Sequence, residues 1–153
     1  MKKIILIVGG LVVLGIAWYG LSPLLMNKKV DDALPGTMMK ETPKAETIIS
    51  EPVPIVDTAA HPATGVVRIV KTGDATVVRY ENYKTINGPD VRVYLASDLK
   101  ASDFVDLGPI KGTEGNINYT VPTGIDITKY HYVLTWCEDF SVLFNSADLS
   151  LIH

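Results

Sequence analysis

Two hydrophobic patterns divide the chain into regions of different kinds. From Ile4 to Met26 no residue is charged, and lysines stand on both sides of the run. About 20 such residues are enough for a helix to span the hydrocarbon core of a bilayer. From Gly65 to the C-terminus, short segments alternate between hydrophobic and polar residues, which is typical of half-buried β-strands. The chain between the two regions follows neither period.

The N-terminal run favours an uncleaved signal anchor. A cleaved signal peptide is the alternative, but its apolar region is shorter and ends in small residues, and no A-x-A pattern follows Met26. The positive-inside rule, with the N-terminal amine added, favours a cytoplasmic N-terminus. We therefore expect a short cytoplasmic segment (1–3), a transmembrane helix (4–26) and a C-terminal domain outside the cell membrane.

Residues 27–62 are predicted to be a Pro-rich disordered linker. The prolines forbid a continuous helix and favour extended backbone: they are Pro35, Pro43, Pro52, Pro54 and Pro62. Such a segment buries too little apolar surface to offset its ordering entropy. Thr47-Ile48-Ile49 is its one candidate for an edge strand, and Met38 with Met39 is only weak evidence for a soft-metal site.

Residues 63–153 are predicted to form an antiparallel β-sandwich of about seven to eight strands, with a closed barrel as the alternative. Thr72-Gly73-Asp74 and Asn87-Gly88-Pro89-Asp90 are turn signals, and 98–106 and 125–129 are loops or short helical turns. The predicted strands are Val66–Val70, Ala75–Tyr83, Val91–Ser97, Ile117–Val121, Tyr130–Cys137, Phe140–Phe144 and Leu149–Ile152.

Alternation assigns the side chains of each strand to opposite faces. Val91, Val93 and Leu95 share one face, and Ile117, Tyr119 and Val121 share another. Before the cysteine, the heavier face consists of Tyr132, Leu134 and Trp136, matched in the next strand by Phe140, Val142 and Phe144. This pattern predicts that Trp136 lies in the core and that Cys137 lies on the lighter, wetter face at a strand end.

Cys137 is the single cysteine of the 153 residues, so no internal disulfide can form. In an oxidising compartment, an unpaired thiol is either buried as a small apolar group or kept for a chemical reason. The acidic neighbours Glu138 and Asp139 should raise the thiol pKa. Local charge therefore disfavours a strongly nucleophilic catalytic thiolate.

Other chemistries have little support in the sequence. A blue-copper site needs a histidine and a weak axial ligand soon after the cysteine; only His153 follows Cys137, and His61 and His131 are far apart. No catalytic, zinc or phosphate-loop motif is present. The net charge of −3 and the lack of a basic stripe disfavour nucleic acid as a partner. We expect no bound cofactor and, on balance, no enzyme.

The C-terminal domain resembles the DM-thirteen family, a proposed electron-transfer domain of extracellular and membrane-linked proteins. The resemblance covers nearly all of residues 65–150. Its most specific parts, in combination, are the turn and strand from Asn87 to Leu95 and the string Trp136-Cys137-Glu138-Asp139-Phe140-Ser141-Val142.

The resemblance implies a DOMON-like β-sandwich in which Cys137 is the suspected redox residue. Trp136, Phe140 and Tyr132 are expected to support it. Because the chain carries this one domain, an electron-transfer role requires a separate cofactor-bearing protein as partner. The rival interpretation is a non-catalytic binding or adhesion module in which Cys137 is structural. An enzyme with its own cofactor is a distant third.

Overall fold

Within the part of the chain that the structure describes, eleven β-strands form two sheets. The computed structural model describes residues 2–22, 27–36 and 46–152. One helix, α1, covers Lys2–Leu21, and two short 3-10 helices cover Ile127–Lys129 and Leu149–Ile152. The strands are β1 (Lys29–Asp31), β2 (Thr47–Ile49), β3 (Val53–Pro54), β4 (Val56–Asp57), β5 (Ala63–Thr72), β6 (Ala75–Thr85), β7 (Val91–Ala96), β8 (Phe104–Pro109), β9 (Glu114–Val121), β10 (Tyr132–Cys137) and β11 (Val142–Asp148).

Helix α1 contains most of the apolar N-terminal run, and several of its large side chains, among them Ile4, Leu11 and Trp18, are exposed. Within the described residues, no helix has the length and apolar character needed to cross a membrane. The predicted transmembrane helix is therefore not supported by the structure. The last part of that prediction, residues 23–26, lies outside the described residues.

The two sheets pack face to face as a mainly antiparallel sandwich. The six-stranded sheet has the order β1-β9-β6-β5-β2, with β3 also paired to β5, and the five-stranded sheet has the order β4-β11-β10-β7-β8. Core side chains come from both sheets, among them Val67, Tyr80 and Ile117 from the first and Leu95 and Val133 from the second. The predicted antiparallel sandwich is confirmed, with more strands than expected.

The extra strands come mainly from the segment predicted to be a disordered linker. β2 pairs with β5, as proposed for Thr47–Ile49, and β3 also pairs with β5. β4 pairs with β11 in the other sheet. The linker prediction over 27–62 is therefore wrong for these parts, because the domain supplies the pairing partners that offset the ordering entropy. The Met38–Met39 prediction and Pro43 lie outside the described residues.

Residues 28–33, which we call the strap, lie along the edge of the first sheet. β1 pairs with β9 in parallel, and Lys28 and Thr113 exchange hydrogen bonds. The backbone N–H of Asn118 donates to Asp32 Oδ2 at 2.9 Å. The buried Arg79 donates from Nη1 to the carbonyl oxygens of Asp32 and Ala33. The strap is therefore an integral strand of the sandwich.

Three strand assignments also change. Residues 104–106, the end of a segment predicted as loop or short helical turn, belong to β8, which pairs with β7. Leu149–Ile152, predicted as a strand, is a 3-10 helix. Phe140 lies in the turn between β10 and β11, where Ser141 has a positive φ of 51° and its N–H donates to the Glu138 carbonyl. Such a tight turn ends the ladder before Phe140 can join it.

The predicted faces are correct in β7 and β9 and reversed in β10. Val133, Thr135 and Cys137 face the other sheet, whereas Leu134 and the partly buried Tyr132 and Trp136 lie on the outer face. The predicted core position of Trp136 is therefore wrong. A second, smaller cluster covers the outer face, in which Leu134 packs with Tyr94, Ala96, Ala101 and Leu143. Because both faces of β10 are buried, the size of the side chains on a face does not show which face points to the other sheet.

Candidate functional site around Cys137

Cys137 is the last residue of β10 and only 1% of it is exposed. Its Sγ donates a hydrogen bond to the Pro89 carbonyl oxygen at 3.0 Å, and the next N–H, of Glu138, donates to the carbonyl of Asp90. Val91 and Phe144 pack against it. Cys137 ends its strand as predicted, but the predicted position on a wetter face is wrong: the thiol is buried and hydrogen-bonded.

Burial raises the pKa of the Cys137 thiol, and the negative charges of Asp139 and Asp90 add to the rise. Backbone N–H groups of Phe140 and Asp139 oppose it without cancelling it. The predicted direction of the shift is confirmed, but its main cause is desolvation and not the neighbouring acids. At neutral pH the sulfur therefore keeps its proton and is a poor nucleophile.

The thiol lies beside an open apolar groove of about 390 Å³, which we call the Cys137 groove. Its lining residues are Ala60, His61, Ile86, Gly88, Pro89, Cys137, Phe140, Val142 and Phe144. None of them is an acid, a lysine or an arginine. The volume is within the range of small-molecule sites, about 300–1,000 Å³. A buried thiol and a concave apolar surface therefore occur together.

The two rings of His61 and Phe144 form one wall of the groove. Their centroids are 3.9 Å apart and their planes differ by 14°, which is a stacked arrangement. Thr58 Oγ1 and His61 Nδ1 are 2.9 Å apart and share a hydrogen bond. A Cβ on Gly88 would lie 2.8 Å from Phe144 Cζ. Glycine at position 88 therefore leaves room for the Phe144 ring beside the turn.

A β-bulge brings Phe144 to the same side as Cys137. Between Thr135 and Trp136, the register of β10 on β11 shifts, so Thr135 pairs with Asn145 while Trp136 pairs with Leu143. Phe144 is the additional residue of the bulge, and both it and Asn145 are buried. Strict alternation of side chains cannot predict this shift. For that reason it assigned Phe144 to the face opposite Cys137.

The expected supporting residues are divided between the two faces of the sheet. Phe140 lies at the rim of the Cys137 groove and is 66% exposed. Trp136 and Tyr132 lie on the outer face of the sheet, the opposite face of β10 from Cys137. Near them, Tyr94 stacks on Phe104 and donates a hydrogen bond to Glu138. Only Phe140 of the three therefore shares a surface with the thiol.

A buried polar network lies two residues from Cys137 on the same face. Thr135 Oγ1 is 3.3 Å from the hydroxyl of Tyr80 and 3.1 Å from that of Tyr83. Asn145 Nδ2 donates to the Tyr83 hydroxyl at 3.2 Å. Burial raises the pKa of Tyr80 and of Tyr83. These interactions join β6 of one sheet to β10 and β11 of the other.

Two groove residues, His61 and Ile86, were not connected with Cys137 in the sequence. His61 precedes the strand pattern and stands alone, so no periodicity linked it to a residue 76 positions away. Among the described residues, no three histidine, cysteine, aspartate or glutamate side chains come together as metal ligands. His61 and Cys137 thus share a groove without forming a ligand set.

The fold and site define a β-sandwich domain with one buried thiol beside an apolar groove. A family model described as "Electron transfer DM13" matches residues 55–149. The chain therefore belongs to the DM13 family, as its motifs indicated. Comparisons with curated proteins and with solved structures gave no match.

Proposed function

We propose that this protein is an extracytoplasmic, membrane-anchored module that takes part in electron transfer through Cys137, with a separate cofactor-bearing protein as its partner. The observation that carries the proposal is the Cys137 groove in a domain of the electron-transfer family. A single thiol beside an uncharged concave surface lets an apolar cofactor edge approach without desolvating an ionised group.

A lone thiol restricts the chemistry of the exchange. Cys137 has no second cysteine in the chain, so a thiol–disulfide cycle needs a thiol from another molecule. The step that we propose removes one electron and the S–H proton from Cys137. The electron passes to an oxidised haem or flavin on the partner, and the proton passes to water. The reverse transfer of one electron and one proton restores the thiol.

Membrane anchoring is the second part of the proposal. Its support is the uncharged run from Ile4 to Met26 and the exposed apolar side chains of α1. Alkaline extraction of membranes tests it: the full chain should stay in the pellet. Protease added to intact cells should digest residues 46–153, whereas protection of this domain until lysis would contradict the orientation.

A structural cysteine in a binding module is the second candidate function. The burial of Cys137 and its hydrogen bond to Pro89 favour this reading, because such a thiol contributes to packing without any redox change. In this case the groove binds a partner and Cys137 only shapes its floor.

Electron exchange with and without the thiol separates the two candidates. Full-length protein in membranes is mixed with a photo-oxidised haem or flavin protein, and the reduction of that cofactor is followed by its absorbance. Cys137→Ser should abolish the reduction while circular dichroism shows an intact fold. Ser50→Ala, remote from the groove, is the control. If Cys137→Ser reduces the cofactor as fast as the unaltered protein does, the redox role fails.

A further inference from the structure

The lining of the Cys137 groove indicates what kind of small molecule fits it. Apolar side chains form most of the wall, and no charged residue is among them. A charged ligand would lose its hydration there without gaining a counter-ion. An uncharged, apolar molecule loses little and removes the exposed surfaces of Phe140 and Val142 from water.

The stacked rings of His61 and Phe144 favour a flat occupant. With centroids 3.9 Å apart and nearly parallel planes, His61 covers one face of the buried Phe144 ring, so an aromatic or quinonoid ring stacks in an offset arrangement on the outer face of His61. Phe140, in the tight turn at the rim, is exposed and adds a third aromatic side chain to the same groove.

The polar groups at the groove fit a carbonyl-bearing ring. Burial lowers the pKa of His61, so its imidazole is neutral at physiological pH. When the Thr58 hydroxyl donates to Nδ1, the proton of the imidazole is on Nε2, which then serves as a donor to a ligand oxygen. His61 thus offers a hydrogen bond without a charge.

We propose that the Cys137 groove binds a lipid-soluble quinone, stacked on the His61–Phe144 pair with one carbonyl oxygen accepting a hydrogen bond from His61. The proposal rests on the electron-transfer function proposed above, which selects a redox-active molecule among uncharged planar rings. The membrane is a source of such molecules for an anchored domain.

The binding is non-covalent. Quinones alkylate thiolates by addition of sulfur to a ring carbon, with the thiol proton ending on a quinone oxygen. Cys137 is buried, donates a hydrogen bond to the Pro89 carbonyl oxygen and is protonated at neutral pH, so it is a poor partner for that addition. A quinone that would react with an exposed thiol therefore binds beside Cys137 without modifying it.

Calorimetric titration with menadione, a two-ring quinone, tests the site. The full chain in lipid nanodiscs is titrated, and empty nanodiscs of the same composition correct for partition into lipid. We expect saturable binding at one site per chain. His61→Ala should weaken it roughly tenfold, which equals about 1.4 kcal/mol. Ile48→Ala, in an apolar groove at the β2 edge, should leave it unchanged.

A mass measurement makes the outcome decisive. After the titration, the intact mass of the chain should show no menadione adduct. Binding no stronger than to empty nanodiscs, equal binding by His61→Ala, or a covalent adduct on Cys137 overturns the quinone site. Failure of the quinone site leaves Cys137-dependent electron exchange with a protein measurable. Binding without that exchange overturns the proposed function instead.

Discussion

The Sγ of Cys137 donates a hydrogen bond to the carbonyl oxygen of Pro89 across 3.0 Å, joining the end of β10 to the turn before β7. This contact satisfies the thiol inside the protein, although the Cys137 groove brings solvent close to it. The state of this bond therefore decides whether reagents reach the sulfur.

Thiol labelling reports how often the bond opens. We expect Cys137 to react with a bulky maleimide far more slowly than an exposed thiol, because a local opening free energy of about 3 kcal/mol slows a reaction roughly a hundredfold. A Val142→Cys thiol in a Cys137→Ser chain is the matched control, since position 142 pairs with 137 and is 38% exposed. Equal rates for the two thiols would contradict the burial.

The two phenylalanines of the groove should differ sharply in their contribution to stability. Phe144 is 4% exposed, and Phe144→Ala should lower the free energy of unfolding by about 3–5 kcal/mol. Phe140 is 66% exposed, so Phe140→Ala should change it by no more than about 0.5 kcal/mol. Urea unfolding of both variants measures the difference. A large loss in Phe140→Ala would instead support the strand position predicted from the sequence.

The sequence was informative where a polar side chain marks the outer face of a strand, as Arg92 does in β7 and Asn118 does in β9. In β7 and β9 the alternation identifies the core residues Val93, Leu95, Ile117 and Tyr119 correctly. It fails in β10, because Leu134 is buried on the outer face and Thr135 is buried on the inner one. Thr135 forms hydrogen bonds with two buried tyrosines, but from the sequence alone it cannot be distinguished from an exposed polar residue.

Of the candidate site, only Cys137 and Phe140 at its rim could be predicted from the sequence. The cysteine motif identified Cys137, but the groove depends on a bulge, on the turn glycine Gly88 and on His61, which the fold brings from a distant part of the chain. The strap was missed for a related reason. Its apolar content is low, and its stability comes from pairing with β9 and from the buried Arg79. Such contacts leave no local pattern.

Gly115 provides a sharp test of the strap. Its φ is +117°, and a Cβ there would lie 1.9 Å from the Val30 carbonyl oxygen. Gly115→Ala should therefore release the strap, with faster hydrogen exchange at Asp32 and a loss of several kcal/mol of stability. Gly124→Ala is the control, since φ is +85° but the space is open. It should show only the backbone strain, about 1–2 kcal/mol, without faster exchange at Asp32.

If Gly115→Ala exchanges at Asp32 as slowly as the unaltered protein, the strap is not held by its fit against β9. Arg79→Met then asks whether the side-chain hydrogen bonds hold it instead. This variant keeps the apolar part of the side chain and removes the donors to Asp32 and Ala33. Unchanged exchange in both variants would contradict the strap as described.

The buried tyrosines should make the domain sensitive to alkali. Burial raises the pKa of Tyr80, Tyr83 and Tyr119 above the ordinary value, so the folded state binds these protons more tightly than the unfolded state. The resulting stability is complete below the unfolded pKa of about 10 and is lost as pH rises above it. Each such group lowers the free energy of unfolding by up to about 1.4 kcal/mol per pH unit. Unfolding by urea between pH 8 and pH 11 measures the slope, and Tyr83→Phe should reduce it. An identical slope in Tyr83→Phe would mean that Tyr83 ionises in the folded protein as it does in the unfolded chain.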